Sequence, residues 1–261
     1  MPEPLISIVI VSWNVRDILR ENLARLFSLT TDVSFEVLVT DNGSADGSAA
    51  MMRAEFPQVH LLQNDFNAGF AAACNRAARL ARGCIVLFFN PDMRMGDGVL
   101  ERLQEVLGAE RSVGAVTVKC LREDGTLVHS VRRDPGCFNQ LAIFLKLPHF
   151  FPRILSHYTA ADFDYGRAQD IAQARGAFLA VRADVIQSVG LFDERFFVWF
   201  EDIDFCRRIR QAGFSIRYLP DVSCRDFVGR AFAQIPLWKK QWMFFSSGIK
   251  YFLKWGFRRA L

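Results

Sequence analysis

Short apolar runs alternate with amphipathic helical segments through the first 90 residues, and this alternation restricts the chain to few folds. The runs are rich in β-branched residues, as in strands covered on both faces, and lie at 5–11, 35–39, 59–62 and 84–89. Segments with the spacing of helices lie between these runs. They cover 15–28, a stretch after 44 that ends at about 56, and 68–81. The order predicts an α/β fold with a mostly parallel, twisted sheet and helices on both faces.

The charge of the chain is concentrated at its C-terminal end. The 261 residues have a formal charge of +4, too small a surplus to indicate a nucleic-acid partner. Residues 236–261 hold six of the 32 basic residues and no acidic residue. We therefore predict one domain at 1–235, close to neutral, and a basic aromatic helical tail at 236–261.

The cysteines and the N-terminus bear on where the protein works. The six cysteines are far apart, with no C-x-x-C pair, which is typical of a reducing compartment and argues against a zinc module. The chain begins without a basic segment followed by a cleavable apolar stretch, and it has no run of about 18 apolar residues. These features predict a cytoplasmic protein without a conventional transmembrane helix.

Three polar clusters follow predicted strands. In open α/β sheets ligands bind beyond the carboxyl ends of the strands, where residues 12–14, 41–44 and 90–92 fall. Asn-Gly and Asp-Gly also favour turns, so 41–48 has an equally good structural explanation. Asp41 is a candidate to accept hydrogen bonds from a nucleobase or ribose. Asp92, with phosphate oxygens and waters, would suit Mg²⁺ or Mn²⁺.

Two further segments carry candidate chemistry. Asn67, Gly69 and Asn75 occur at the start of an Ala-rich helix, where free backbone N–H groups favour anions, although close helix packing explains the small residues as well. Glu201 and Asp202 follow a run of aromatic residues at 196–200. A carboxylate beside such a wall is partly desolvated, which raises its pKa as a general base requires.

Taken in order, six motifs resemble the family 2 glycosyltransferases of the GT-A (Rossmann-like) fold, especially their rhamnosyltransferase-like branch. The motifs are SIVIVSWN (7–14), DNGSADGS (41–48), NAGFAAACN (67–75), NPD (90–92), RGAFLAVR (175–182) and GLFDERFFVWFEDIDFCRRIRQAGF (190–214). The resemblance implies a nucleotide-sugar donor, inversion at the anomeric carbon, and Mg²⁺ or Mn²⁺ as cofactor. It implies a lipid-linked or polysaccharide acceptor in cell-surface glycan synthesis, with rhamnose from a dTDP donor as one candidate sugar.

The resemblance also implies roles for individual residues. Those expected to hold the nucleotide sugar are Ser12, Asn14, Asp41, Asn67, Gly69, Phe70, Asn75 and Asn90. Asp92 matches the last residue of the family's Asp-x-Asp metal motif, whose first acidic position is Asn90 here. Asp202, with Glu201 beside it, is expected to deprotonate the acceptor hydroxyl.

One position departs from the family pattern. After the strand predicted at 216–219 the family usually has a metal-binding His, and Asp226 stands there. A carboxylate suits hard cations, so we expect Asp226 to be a metal ligand with Asp92. The alternative is a catalytically inactive nucleotide-sugar-binding or scaffold protein of the same fold. A nicotinamide-dependent oxidoreductase is disfavoured because no G-x-G-x-x-G follows the first strand.

The tail suggests a membrane surface as a partner. On a helix, Trp and Phe residues share one face from Trp238 to Leu253, and Lys239, Lys240, Lys250 and Lys254 gather on another. This pattern is typical of an interfacial membrane helix, although a helix packed on the domain is the open alternative. We predict peripheral association at the cytoplasmic face of a membrane. The donor base and sugar, the acceptor and the oligomeric state stay open.

Overall fold

A computed structural model describes residues 5–145, 147, 151–227 and 235–256. The first half alternates strands and helices as predicted, with strand and helix ends within a few residues of the expected ones. Its elements are β1 (Ile6–Ser12), α1 (Arg16–Phe27), β2 (Phe35–Asp41), α2 (Ser48–Glu55), β3 (His60–Gln63), α3 (Phe70–Ala78) and β4 (Ile85–Phe89).

The second half is less regular. Its elements are β5 (Met93–Met95), α4 (Val99–Ala109), β6 (Val113–Leu121), α5 (Cys137–Phe144), a 3₁₀ turn (Pro152–Leu155), β7 (Gln169–Asp170), β8 (Phe178–Arg182), α6 (Ala183–Val189), α7 (Glu201–Gln211), β9 (Ser215–Asp226) and α8 (Leu237–Trp255). Gly213, at φ +88°, follows the end of α7.

The strands form a single sheet in the order β3-β2-β1-β4-β8-β6-β9-β5, with β7 paired to β9. The first four strands of this order are parallel, as predicted. Beyond β4 the sheet is mixed, because β8 runs antiparallel to both β4 and β6, whereas β6 and β9 are parallel. The start of β8 and the end of β9 therefore lie at the same sheet edge as the carboxyl ends of β1, β2 and β4.

Helices cover both faces of the sheet, as predicted. In β1, Ile6, Ile8 and Ile10 pack into one core with α1, α2 and α4. Val9 points to the opposite core, which contains residues of α3, α6 and α7. Because successive side chains of a strand alternate between faces, a continuous apolar run is what a sheet covered on both sides requires.

Helix α8 packs against the segment that precedes α7. Met243, Ser247 and Tyr251 are buried on this side of α8. The Ser247 hydroxyl donates a hydrogen bond to the Val198 carbonyl (2.9 Å), and Gly248 lies against the Phe200 ring. The helix therefore packs on the domain, but through a face other than the one that carries Trp238 and Trp242. The division into a domain at 1–235 and a tail at 236–261 stays a prediction.

The other face of α8 is exposed and apolar. Trp238, Trp242 and Leu253 are 66–75% exposed, and Phe245 and Ile249 are also exposed. The lysines of α8 do not all point freely into solvent, because the Lys254 ammonium forms ion pairs with Asp204 (2.6 Å) and with Asp193 (2.8 Å). Among the helices in the described ranges, none is long and apolar enough to cross a bilayer.

Candidate active site

A cleft of about 360 Å³ lies at the carboxyl ends of β1, β2 and β4. Its walls come from the loops that follow these strands, from the start of β8, from the end of β9 and from the start of α7. Seven of the residues predicted from the sequence line it: Asn67, Phe70, Asn90, Asp92, Glu201, Asp202 and Asp226. The fold thus collects into one cleft residues that lie up to 159 positions apart in the chain.

Asp202 is held in the cleft by two backbone groups. Its carboxylate accepts hydrogen bonds from the N–H of Gly176 (2.9 Å) and from the N–H of Ile203 (2.8 Å). Burial raises the pKa of Asp202, and these two N–H groups together with the nearby Arg175 charge oppose the rise. The desolvation is the larger effect, so Asp202 is a stronger base than an exposed aspartate.

The turn before α7 has an unusual backbone. Trp199 (φ +62°) and Phe200 (φ +70°) both occupy the left-handed region, which non-glycine residues rarely adopt. Phe200 is 1% exposed and packs against Phe244 and Tyr251 of α8, with ring centroids 5.4 and 5.5 Å away. Packing against α8 thus holds a strained turn directly before the two carboxylates, and such strain clusters at functional sites.

Glu201 lies beside Asp202 in the chain and is more deeply buried. It is 4% exposed, and its Oε2 atom has no hydrogen-bond partner in the described part of the chain. Burial, followed by the charge of Asp202, raises the pKa of Glu201 well above its ordinary value. The folded protein therefore binds the Glu201 proton more tightly than the unfolded chain does.

We expect the Glu201→Gln variant to be more stable than the parent at pH 8. The unfavourable contribution of the ionised side chain is absent below the ordinary glutamate pKa of about 4.3 and fully present above the raised pKa. The gain should be about 1 kcal/mol, or about 2–4 °C in Tm, and should shrink as the pH falls. Thermal unfolding at pH 5 and pH 8 measures it, and an equal gain at both values would contradict the ionised-carboxylate explanation.

Two more carboxylates, those of Asp92 and Asp226, line the cleft. Asp92 directly precedes β5 and Asp226 ends β9; both side chains are buried, and the Asp92 carbonyl accepts a hydrogen bond from the Phe227 N–H (3.0 Å). Asp226 also pairs with the Arg175 guanidinium (2.9 Å). Among the described residues no three His, Cys, Asp or Glu side chains form a metal-binding group. One or two carboxylates completed by substrate phosphates are nevertheless a usual Mg²⁺ site, and Asp92 and Asp226 fit that kind of site.

Asn42 organises the neighbouring wall. Its side-chain amide donates to Asn67 Oδ1 (2.9 Å) and to the Gly69 carbonyl (3.2 Å), and its oxygen accepts the Ala68 N–H (3.0 Å). Gly69 has φ +92°, and a Cβ there would lie 2.6 Å from the Phe197 carbonyl oxygen. Only glycine allows this approach, by which the 67–70 segment contacts the aromatic run before α7.

The residues predicted to hold a nucleoside, Ser12, Asn14 and Asp41, are not among those that line the cleft. Ser12 and Asp41 are register partners at the ends of β1 and β2. Both are buried, and Ser12 Oγ and Asp41 Oδ1 have no hydrogen-bond partner within the ranges described. Buried polar atoms usually have a hydrogen-bond partner, and these two oxygens are exceptions at the sheet edge where the cleft lies. Asn14 instead joins two loops, since its Oδ1 accepts the Ala45 N–H (2.8 Å).

The sequence pattern of the family described as Glycosyl transferase family 2 matches residues 7–165, more than half of the chain. The chain belongs to this family. This glycosyltransferase is 29% identical over 231 residues to the N-acetylglucosaminyl-diphospho-decaprenol L-rhamnosyltransferase of Mycobacterium tuberculosis, a match that covers 83% of this chain and 74% of the relative. It is also 29% identical over 218 residues to the O-antigen biosynthesis protein RfbC of Myxococcus xanthus, covering 82% of this chain but 16% of that protein.

Solved structures show the same GT-A fold. The mannosyltransferase PcManGT of Pyrobaculum calidifontis, in complex with GDP-Man and Mn²⁺, superposes with a TM-score of 0.61 at 20% identity. The match covers 95% of this glycosyltransferase and 65% of that chain. TarS of S. aureus superposes with a TM-score of 0.60 at 18% identity, over 85% of this chain and 36% of that one. This chain thus spans only part of either structure.

Gly69 and Asn75, which were predicted to hold the nucleotide sugar, are not among the residues that line the cleft of the glycosyltransferase. Gly69 does not line the cleft itself but shapes its wall, as described above. Asn75 is 1% exposed and bonds to both the N–H (3.0 Å) and the carbonyl (2.8 Å) of Phe192, and to Glu194 (2.9 Å). The structure therefore places Asn75 away from the cleft, where it ties α3 to the segment after α6.

We expect Asn75→Ala to lower the stability of the glycosyltransferase without changing its affinity for nucleotide. The change leaves the buried N–H and carbonyl of Phe192 without partners, which should cost about 2–4 kcal/mol. Urea unfolding gives the stability, and nucleotide titration at low temperature gives the affinity. A specific loss of nucleotide affinity in the folded variant would instead support the donor-site role predicted from the sequence.

The sequence analysis gave no individual role to four residues that shape the site. Trp13, Asn42 and Arg175 line the cleft, and Gly176 holds Asp202 through its N–H. All four lie inside motifs that carry the family resemblance, and that position was the available signal. Nothing local to Arg175 indicates that it reaches Asp226, because this pairing depends on the antiparallel placement of β8 beside β4.

Proposed function

We propose that this glycosyltransferase transfers a sugar from a nucleotide-sugar donor to a lipid-linked or polysaccharide acceptor in cell-surface glycan synthesis, with inversion and with Mg²⁺ or Mn²⁺ as cofactor. One observation carries the proposal most: the desolvated Asp202 carboxylate and the Asp92–Asp226 pair line the same cleft. A base and a site for a diphosphate are the two parts that a direct displacement at the anomeric carbon requires.

Asp202 supplies the base. Its carboxylate accepts the proton of an acceptor hydroxyl while that oxygen bonds to the anomeric carbon and the bond to the nucleoside diphosphate breaks. The N–H groups of Gly176 and Ile203 orient the carboxylate and leave its remaining lone pairs for the acceptor. Because the nucleophile and the leaving group lie on opposite sides of the carbon, a single step inverts its configuration.

Asp92 and Asp226 would hold the metal ion. When bound, a divalent cation stabilises the negative charge of the departing diphosphate. Arg175 also lines the cleft, and its positive charge is paired with Asp226. Ser12, Asn14 and Asp41 would bind the nucleoside, supported by the two unpartnered oxygens at the ends of β1 and β2. Asn67, Phe70 and Asn90 would contact the sugar diphosphate.

The choice of sugar and acceptor rests on the relatives. The Mycobacterium tuberculosis relative is named as an N-acetylglucosaminyl-diphospho-decaprenol L-rhamnosyltransferase, which supports rhamnose as the sugar and a lipid-linked acceptor here. A dTDP donor is what the family resemblance implies for rhamnose. A lipid-linked acceptor requires the enzyme to work at a membrane surface. The exposed apolar face of α8, with Lys239 and Lys240 in its first turn, supports peripheral attachment, and six free cysteines support the cytoplasmic side.

We expect the protein to bind vesicles containing anionic lipid at low salt and to bind neutral vesicles more weakly. Trp238 and Trp242 are 71% and 66% exposed, so replacing both with Gln should weaken binding at least tenfold through lost burial of apolar area. Co-sedimentation measures it, with Leu80→Gln as the control because Leu80 is 56% exposed outside α8. Equal binding by the double variant and the control would exclude α8 as the attachment site.

The ion pair between Arg175 and Asp226 supports one alternative, a catalytically inactive protein that binds nucleotide sugar. A thermal-shift screen of nucleoside diphosphates and sugar nucleotides, with and without Mn²⁺, tests both functions. The proposed enzyme is stabilised in a metal-dependent way and slowly hydrolyses its donor, whereas the inactive alternative binds without hydrolysis. Stabilisation by none of these nucleotides would contradict both.

A further inference from the structure

A second, apolar groove lies between α5 and α8. It has a volume of about 270 Å³. Its lining is apolar apart from Cys137 and Gln140, and includes Leu141, Phe144, Phe200, Phe244, Phe245, Gly248, Ile249, Phe252 and Leu253. Small-molecule pockets usually measure about 300–1,000 Å³ and contain several polar groups that orient a ligand. This groove is smaller and almost without such groups, so it suits a hydrocarbon chain better than a sugar.

Most of the exposed large hydrophobic side chains lie on or next to the two helices of the groove. Of the fourteen in the described ranges, eleven belong to 138–145, to position 151 or to 237–253. The Phe144 and Phe245 rings, one from each helix, lie 4.7 Å apart and connect the two sides. Exposed apolar side chains gathered on two neighbouring elements indicate a binding surface rather than scattered surface residues.

The charges around the groove would favour an anionic lipid. Helix α5 contains no charged residue, and α8 contains four lysines and no acidic residue. Lys254 is paired with Asp204, but Lys239 lies exposed in the first turn of α8. A diphosphate or an anionic headgroup at this surface would therefore meet positive charge and no carboxylate from either helix.

The groove also shares a wall with the catalytic cleft. Phe200 lines the groove, while the next two residues, Glu201 and Asp202, line the cleft. On α8, Met243 lines the cleft and Phe244 lines the groove. A long molecule in the groove would thus have one end beside the wall that carries the base.

We propose that this groove binds the hydrocarbon chain of a membrane-anchored acceptor, so that its polar head enters the cleft beside Asp202. The inference rests on the proposed function, which supplies the lipid-linked acceptor, and adds a site for its chain. The chain would lie along α5 and α8 with Phe200 as the floor, while Trp238 and Trp242, which do not line the groove, contact the bilayer.

Chain length is the variable that tests the proposal. Farnesyl diphosphate and dimethylallyl diphosphate share a headgroup but differ by ten carbons, and both can be titrated against the full-length protein below their micelle concentrations without vesicles. We expect farnesyl diphosphate to bind about 100-fold more tightly, because each buried methylene contributes about fourfold and only part of the chain fits the groove. Calorimetry or Trp fluorescence gives the two affinities.

Matched variants locate the site. Ile249 and Leu253 line the groove yet are 45% and 75% exposed, so Ile249→Asn and Leu253→Asn should leave the core intact. Each should weaken farnesyl diphosphate binding about tenfold and leave dimethylallyl diphosphate unchanged. Leu80→Asn is the control outside the groove. Trp238→Gln, on α8 but not in the groove lining, should affect vesicle attachment only.

Four results would overturn the proposal. Equal affinity for the two diphosphates, or an equal loss in Leu80→Asn, would show that the groove does not bind the chain. A dimer in light scattering that Ile249→Asn dissociates would show that a second copy covers the groove. If farnesyl diphosphate fails to bind while nucleotide binding and donor hydrolysis persist, the groove proposal fails and the proposed function stands.

Discussion

Replacing Asp202 with Asn is expected to lower the turnover of sugar transfer by about 10²–10⁴-fold, the usual contribution of a general base. Asparagine keeps the shape of the side chain, and its oxygen can still accept the Gly176 N–H that holds Asp202. It cannot accept the acceptor proton. Nucleotide affinity should therefore stay unchanged while kcat falls, and separate measurement of the two distinguishes loss of the base from loss of the fold.

The pH dependence gives a second measure of the same residue. Burial raises the pKa of Asp202, and the base works only when ionised. Activity should fall as the pH drops through this raised pKa, at a higher pH than the ordinary aspartate value of about 3.9 predicts. The residual activity of Asp202→Asn should lack this acidic limb.

Asp221→Asn is the matched control for the base. Asp221 also belongs to the second half of the chain but is exposed and paired with Arg102 on the surface (2.7 Å). Its replacement removes one negative charge without touching the cleft. If Asp221→Asn and Asp202→Asn lose activity equally, or if Asp202→Asn retains the acidic limb, Asp202 is not the base.

Replacing Asp92 with Asn is expected to remove the metal-dependent part of nucleotide binding, together with at least about 10³-fold of activity. Asp92 and Asp226 are buried carboxylates that line the same cleft as Asp202. Carboxylate oxygens are the ligands that Mg²⁺ and Mn²⁺ prefer, and a neutral amide binds these cations more weakly. Thermal shifts with a nucleoside diphosphate, measured with Mn²⁺ and with a chelator, report the metal-dependent part directly.

Asp97→Asn is the control for this variant, because Asp97 lies five residues further on, is 81% exposed in its side chain and pairs with Arg25. Asp226→Asn distinguishes two roles for Asp226, binding of the metal ion and pairing with Arg175. If Asp226 is a metal ligand, its variant should lose the Mn²⁺ effect as Asp92→Asn does. If it serves mainly to hold Arg175, nucleotide affinity should fall equally with Mn²⁺ and with the chelator. A full Mn²⁺ effect in Asp92→Asn would contradict the proposed metal site.

Local patterns predicted the elements around the first four strands well. The continuous apolar run of β1 indicated a strand covered on both faces, and the structure places Ile8 and Val9 in opposite cores. Polar residues after β1, β2 and β4 indicated one binding edge, because parallel strands bring their carboxyl ends together. Helix spacing in α8 predicted that Trp238 and Trp242 share one face, but it did not decide that this face would be exposed or that Lys254 would be paired.

The sequence by itself determined which residues could do the chemistry: a carboxylate after an aromatic run, Asp92 after a strand, and a basic helix with exposed aromatic residues. Only the tertiary structure decided how they meet. Because β8 is inserted antiparallel between β4 and β6, Arg175 reaches Asp226 and Gly176 reaches Asp202. Such contacts depend on strand order and direction, which arise from packing across the whole sheet and leave no signal in the spacing of nearby residues.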